Sequence, residues 1–149
     1  MPRIERTADI SWEGNVARGQ GLLSGESSGA FSDLPFTLAT RIGNPEGKTS
    51  PEELLAAAHG GCLTMSLASE LTQAGTPPGR LEVTVTIVMD EVEGQGHQIV
   101  GSNVGIAAAV DGVDEAGLAA AVEKADAGCP FSQLLKRAGA NVTIAARLA

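Results

Sequence analysis

The chain has 149 residues, 43% apolar and 19% charged, which excludes disorder and fits one domain, 1–149, with a core of its own. Ten Lys and Arg against eighteen Asp and Glu leave a net charge of −8, and aromatics make up only 3%. Such a surface repels phosphate backbones and offers few stacking platforms, which argues against a nucleic-acid partner. Met1 to Ile10 has no apolar signal-peptide core, and no apolar run approaches the ~18 residues of a membrane helix, so the expectation is a soluble cytoplasmic protein with no membrane partner.

In chain order, Arg3 to Trp12 alternates as a strand, with Ile4, Ile10 and Trp12 on one face. Glu13-Gly14-Asn15 reads as a tight turn, and Val16 to Ser24 as the returning strand of a hairpin. Phe36 to Ile42 reads as a third strand. Ser50-Pro51 with Glu53 is a capping-box start for a long helix from Pro51 to about Gln73, stopped at Gly75. Leu55, Ala58, Cys62, Met65 and Ser69 fall on one helical stripe, expected to face the interior or a partner. Leu81 to Val92 and Gln98 to Val110 predict an antiparallel pair. Asp114 caps a helix over 115–127, Cys129-Pro130 opens another that Gly139 stops, and Asn141 to Leu148 closes the chain as a strand. The order βββ-α-ββ-αα-β is α+β: antiparallel sheet and a long central helix, not a doubly wound fold.

Two residues carry most of the chemistry. Cys129 precedes Pro130 and so sits at a helix N-terminus, where free amides and the dipole favour a thiolate. Cys62 lies mid-helix and gains nothing from its own helix dipole, so its activation needs a nearby cation or donors. Arg18, Arg41 and His59 are the candidates, His59 being three residues away on the same helix. Gly60 and Gly61 each cost the helix roughly 1 kcal/mol relative to Ala, which points to a close backbone approach beside Cys62.

These residues resemble the OsmC/Ohr family of thiol-dependent peroxidases. The matching segments are Thr49-Ser50-Pro51-Glu52-Glu53-Leu54 through Ala56-Ala57-Ala58-His59 to Cys62, and Gly128-Cys129-Pro130 with Ser132. Phe36 to Gly43 and Trp12-Glu13-Gly14 with Arg18-Gly19 fit as well. Gly60-Gly61, where Ala is more usual, and Ser50, where Asn is common, depart from the pattern but keep its local physics. The resemblance implies an intertwined homodimer that reduces organic hydroperoxides. It assigns Cys62 as the peroxidatic and Cys129 as the resolving cysteine. Arg41 becomes the cation that holds the thiolate, with Arg18 as second choice, and Glu52 the carboxylate that orients the arginine. An external dithiol, a lipoylated protein in the family pattern, would recycle the disulfide, and no metal or bound cofactor is required.

One constraint follows from helix geometry. Glu52 and Cys62 are ten residues apart, about 15 Å along a helix and rotated by roughly 80°. Either the helix breaks near Gly60-Gly61 or a second subunit completes the site. Three rival readings stand beside the peroxidase: a zinc site from His59, Cys62, His97 and Cys129, a thiol redox sensor that does not turn over, and a structural dimer with inert thiols.

Overall fold

In the computed structural model residues 2–149 are described; Met1, the first residue of the amino-terminal segment read above, lies outside them. Residues 1–51 and 52–149 form two compact units.

The first unit is a three-stranded antiparallel sheet, β1 (Asp9–Glu13), β2 (Gln20–Ser24) and β3 (Leu34–Phe36), followed by α1 (Leu38–Ile42). The strands are shorter than alternation predicts. β1 begins at Asp9 because its ladder partner ends at Ser24. The turn before β2 extends to Gly19: Asn15 Oδ1 accepts the Arg18 N–H at 2.9 Å and Asn15 O accepts the Gly19 N–H at 2.7 Å. A Cβ at Gly19 would collide with the Glu13 and Asn15 carbonyl oxygens, so only glycine fits there.

The expected strand over 36–42 is instead the end of β3 and the short helix α1. Thr37 is the reason: its hydroxyl accepts the Thr40 N–H at 3.0 Å, an N-cap that beats the strand propensity of the segment. Trp12 and Phe36 pack with ring centroids 5.6 Å apart. This unit buries little else, and all five residues of β1 are exposed.

All of α2 (Pro51–Gln73) but its first residue belongs to the second unit, and the helix is continuous through Gly60 and Gly61. It ends as the sequence predicts, with Gly75 at a φ of 82° accepting the left-handed turn. β4 (Arg80–Val92) and β5 (Gly96–Ala109) form a long antiparallel hairpin with a bulge at Val88/Met89. Next come α3 (Glu115–Gly128), capped by Asp114 Oδ1 on the Gly117 N–H at 2.7 Å, and α4 (Pro130–Arg137). β6 (Asn141–Leu148) then pairs with β5, and this pairing is parallel. A parallel neighbour needs a crossover, and α3 and α4 supply it.

The core joins Leu63, Leu67 and Leu71 of α2 to Val104, Ile106 and Ala108 of β5 and to Leu118, Ala121, Val122 and Ala125 of α3. The buried face of α2 is therefore His59-Leu63-Leu67-Leu71, a strict i, i+4 series. The expected stripe lies beside it: Cys62 is half-buried at the core edge and Met65 is 71% exposed. Among the described residues no helix is long and apolar enough to cross a membrane.

Candidate active site

Cys62 and Cys129 come from positions 67 residues apart and meet with their sulfurs 3.3 Å from each other, the Cys129 thiol donating. Both thiols are free. A disulfide at about 2.0 Å needs them to close by only about 1.3 Å. Their exposures differ: Cys129 is fully buried, whereas Cys62 is only half-buried. A small oxidant therefore meets Cys62 first.

α4 brings the pair together, and the local sequence explains how. Cys129 is its N-cap and Pro130 opens its first turn, where a missing N–H costs nothing. The Cys129 sulfur accepts the Ser132 N–H at 3.4 Å. The same turn also serves Cys62, whose thiolate is favoured by a hydrogen bond from the Phe131 backbone and by one from the Ser66 side chain. Cys62 thus does gain from a helix N-terminus, that of α4 and not of its own helix. Burial is nevertheless the larger influence on Cys62; together with the Cys129 thiol beside it, burial pushes the Cys62 thiol above its ordinary value. None of these groups is a cation.

His59 lies one turn before Cys62 but turns away from it. The ring is fully buried, with Nδ1 2.7 Å from Ser102 Oγ on β5 and Nε2 2.7 Å from Ser132 Oγ on α4. A neutral imidazole has one donor and one acceptor nitrogen, so one serine donates and the other accepts. Burial also lowers the affinity of this ring for a proton. His59, a second choice for the group that activates Cys62, has both its nitrogens committed to serines.

The remaining candidates lie on other elements. Glu52 occupies the first turn of α2, and since α2 is unbroken it lies about 15 Å along the axis from Cys62 in the same chain. Arg41 is in the last turn of α1 and Arg18 in the β1–β2 turn, both exposed. His97 is exposed at the start of β5, away from His59 and the cysteines, and no group of three or more His, Cys, Asp or Glu among the described residues could hold a metal.

Sequence reasoning anticipated amides at the start of α4 for Cys129 but missed Ser66, Ser102 and the Phe131 backbone bond that the same turn gives Cys62. Ser102 did leave a trace, as the polar member of the inward series Ser102, Val104, Ile106, Ala108.

The family model described as OsmC-like protein matches residues 43–145. The chain is 37% identical over 133 residues to peroxiredoxin OsmC of Escherichia coli (strain K12), covering 89% of this chain and 91% of that one. Among solved structures, an organic hydroperoxide resistance protein OsmC from Legionella pneumophila superposes with a TM-score of 0.70 at 19% identity, covering 97% of this chain and 98% of the other. OhrB, the organic hydroperoxide resistance protein of Bacillus subtilis, superposes with a TM-score of 0.67 at 19% identity, covering 96% and 98%. At these identities the two structures speak for the fold alone.

Proposed function

The chain belongs to the OsmC-like protein family, and from that premise we propose that it is a thiol-dependent peroxidase that reduces organic hydroperoxides to alcohols. The observation that carries the proposal is the 3.3 Å approach of a half-buried Cys62 to a fully buried Cys129 at the start of α4. In this reading the Cys62 thiolate attacks one peroxide oxygen, releases the alcohol and becomes a sulfenic acid. Cys129 then displaces the hydroxyl as water, forming the disulfide. An external dithiol, for which a lipoylated protein is the family's pattern, exchanges with that disulfide and restores both thiols.

Activation is assigned to a cation, because burial and Cys129 hold the Cys62 thiol up. Arg41 is the first choice and Arg18 the second, with Glu52 orienting the guanidinium. An arginine there would also offset the charge that develops on the leaving oxygen. The site is completed in a homodimer. Two features support this: α2 keeps Glu52 away from Cys62 of its own chain, and the first unit leaves Ile10, Trp12 and Leu22 exposed by 59%, 38% and 40%. Residues 1–149 then act as one domain within the dimer, which light scattering on the active sample should report.

The test is a thiol count and intact mass before and after one equivalent of an alkyl hydroperoxide, on the wild type and on Cys62→Ser. Loss of both thiols with a mass drop of about two hydrogens, absent from the variant, is the expected result. Survival of both thiols would overturn the peroxidase. A disulfide that forms once and is not turned over by any dithiol would favour the sensor.

A further inference from the structure

The peroxidase chemistry uses Cys62 and Cys129 and leaves the fully buried His59 unexplained. Burying an imidazole is costly, and it is tolerated here because both nitrogens are satisfied by hydroxyls at 2.7 Å. The placement of those bonds is regular. His59 precedes Cys62 by three residues on α2, and Ser132 follows Cys129 by three residues in the first turn of α4. Two rungs therefore connect the same pair of elements: Cys62 to Cys129 at 3.3 Å and His59 to Ser132 at 2.7 Å. Ser102 of β5 holds the far side of the ring and ties the second rung to the sheet. Ser132 joins the rungs directly, because its N–H donates to the Cys129 sulfur while its hydroxyl bonds His59.

We propose that His59 is a positioning residue for the resolving step: through Ser132 it holds the start of α4, and Cys129 with it, against α2 while Cys62 is oxidised. This rests on the peroxidase reading above. A Cys62 sulfenic acid has two fates. Attack by the Cys129 sulfur forms the S–S bond and expels the hydroxyl as water. Attack on a second hydroperoxide instead adds an oxygen to Cys62, giving the sulfinic acid and an alcohol, and that product is irreversible for an unaided protein. The first route is intramolecular, and its advantage depends on how firmly the second sulfur is held in place. Without the His59–Ser132 rung the polar ties described between the first turn of α4 and α2 all end on the Cys62 sulfur, through Cys129 and the Phe131 backbone, and that sulfur is the atom being remade. The ring stays neutral in this role; Asp126 and Lys136 are the charged groups that act on it, with opposite signs.

The test follows reduced wild type, Ser132→Ala and His59→Gln after mixing with tert-butyl hydroperoxide, by quenched flow and intact mass. It reads thiol oxidation, disulfide formation and sulfinic acid separately. In both variants the ratio of the disulfide rate to the oxidation rate should fall by roughly tenfold, the loss expected when one buried hydrogen bond ceases to hold the geometry. Sulfinic acid should then appear at hydroperoxide concentrations that leave the wild type as disulfide. Ser132→Thr, which keeps the hydroxyl, should restore the ratio, a rescue that a general loss of stability would not produce. A ratio within about twofold of wild type in Ser132→Ala, or no rescue by Ser132→Thr, would overturn the proposal. Failure of the wild type itself to form a disulfide would instead overturn the peroxidase reading, so the two failures are distinguishable.

Discussion

Gly60 and Gly61 stand side by side in the middle of α2, yet the structure predicts opposite consequences for filling them. A glycine in a helix interior costs about 1 kcal/mol relative to alanine, so either Gly→Ala change begins with that gain. A Cβ at Gly61 would meet nothing within 4 Å, so Gly61→Ala should keep the whole gain. In a chain of this size that raises Tm by about 2–4 °C. A Cβ at Gly60 would sit 3.0 Å from Val85 Cγ2 on β4, well inside the roughly 3.5–4.0 Å carbon contact optimum. Val85 is a poor candidate for moving aside. It is β-branched and stiff at χ1, and its strand is paired along its length with β5. Overpacking of this kind costs about 1–3 kcal/mol, so Gly60→Ala should end neutral or destabilised by up to about 2 kcal/mol. Urea denaturation of both variants at one fixed protein concentration would measure the difference. Adding Val85→Ala should turn Gly60→Ala stabilising, a coupling of about 1–3 kcal/mol between the two positions, equal to the overpacking relieved. Equal effects of the two alanines, or a destabilised Gly61→Ala, would refute the claim that only Gly60 marks the close approach of α2 to β4.

Two further outcomes bear on the site. Replacing the activating arginine by methionine should slow thiol oxidation of Cys62 by about a hundredfold or more, as for the loss of one preorganised charge at a reacting centre, while the other arginine's variant stays near wild type. Stopped-flow oxidation of Arg41→Met and Arg18→Met decides between them, and small effects in both would remove arginine from the mechanism. The second outcome concerns acid. Burial lowers the proton affinity of His59 in the fold, Asp126 opposing and Lys136 reinforcing this, so the unfolded chain holds the extra proton once the pH falls below about 6.5. Stability should therefore be full above that pH and decline below it, by at most about 1.4 kcal/mol per pH unit from this group. Denaturation series at several pH values should show the decline in wild type and a flatter profile in His59→Gln.

The sequence was most legible where a local rule decides the structure. The bounds of α2, the cap at Asp114 and the helix start at Cys129-Pro130 each depend on residues within one turn, and each lies where its pattern puts it. Legibility failed where a distant partner decides. β1 is limited by the length of β2, and the parallel partnership of β6 depends on the path of α3 and α4. The buried face of α2 differed for a related reason. Apolar periodicity in a helix rich in Ala and Gly is weak, and the series that packs includes a histidine whose burial is possible only because Ser102 and Ser132 arrive from 43 and 73 residues away. A segment such as Phe36 to Ile42 failed differently, since alternation and a threonine cap compete there and the cap prevails.

The candidate site divides along the same line. In the proposed mechanism, what resolves an oxidised Cys62 is carried within 52–149: Cys129, the amides of the first turn of α4, and the His59–Ser132 rung. What would ionise Cys62 is weak in that unit, where burial and the neighbouring thiol outweigh the donors from Phe131 and Ser66. Both candidate arginines belong to 1–51. On the proposed mechanism, resolution is a property of local packing, and activation a property of the proposed dimer. Mutation should separate the two: changes at His59 or Ser132 are expected to alter the fate of the sulfenic acid, and changes at Arg41, Arg18 or Glu52 to alter whether it forms.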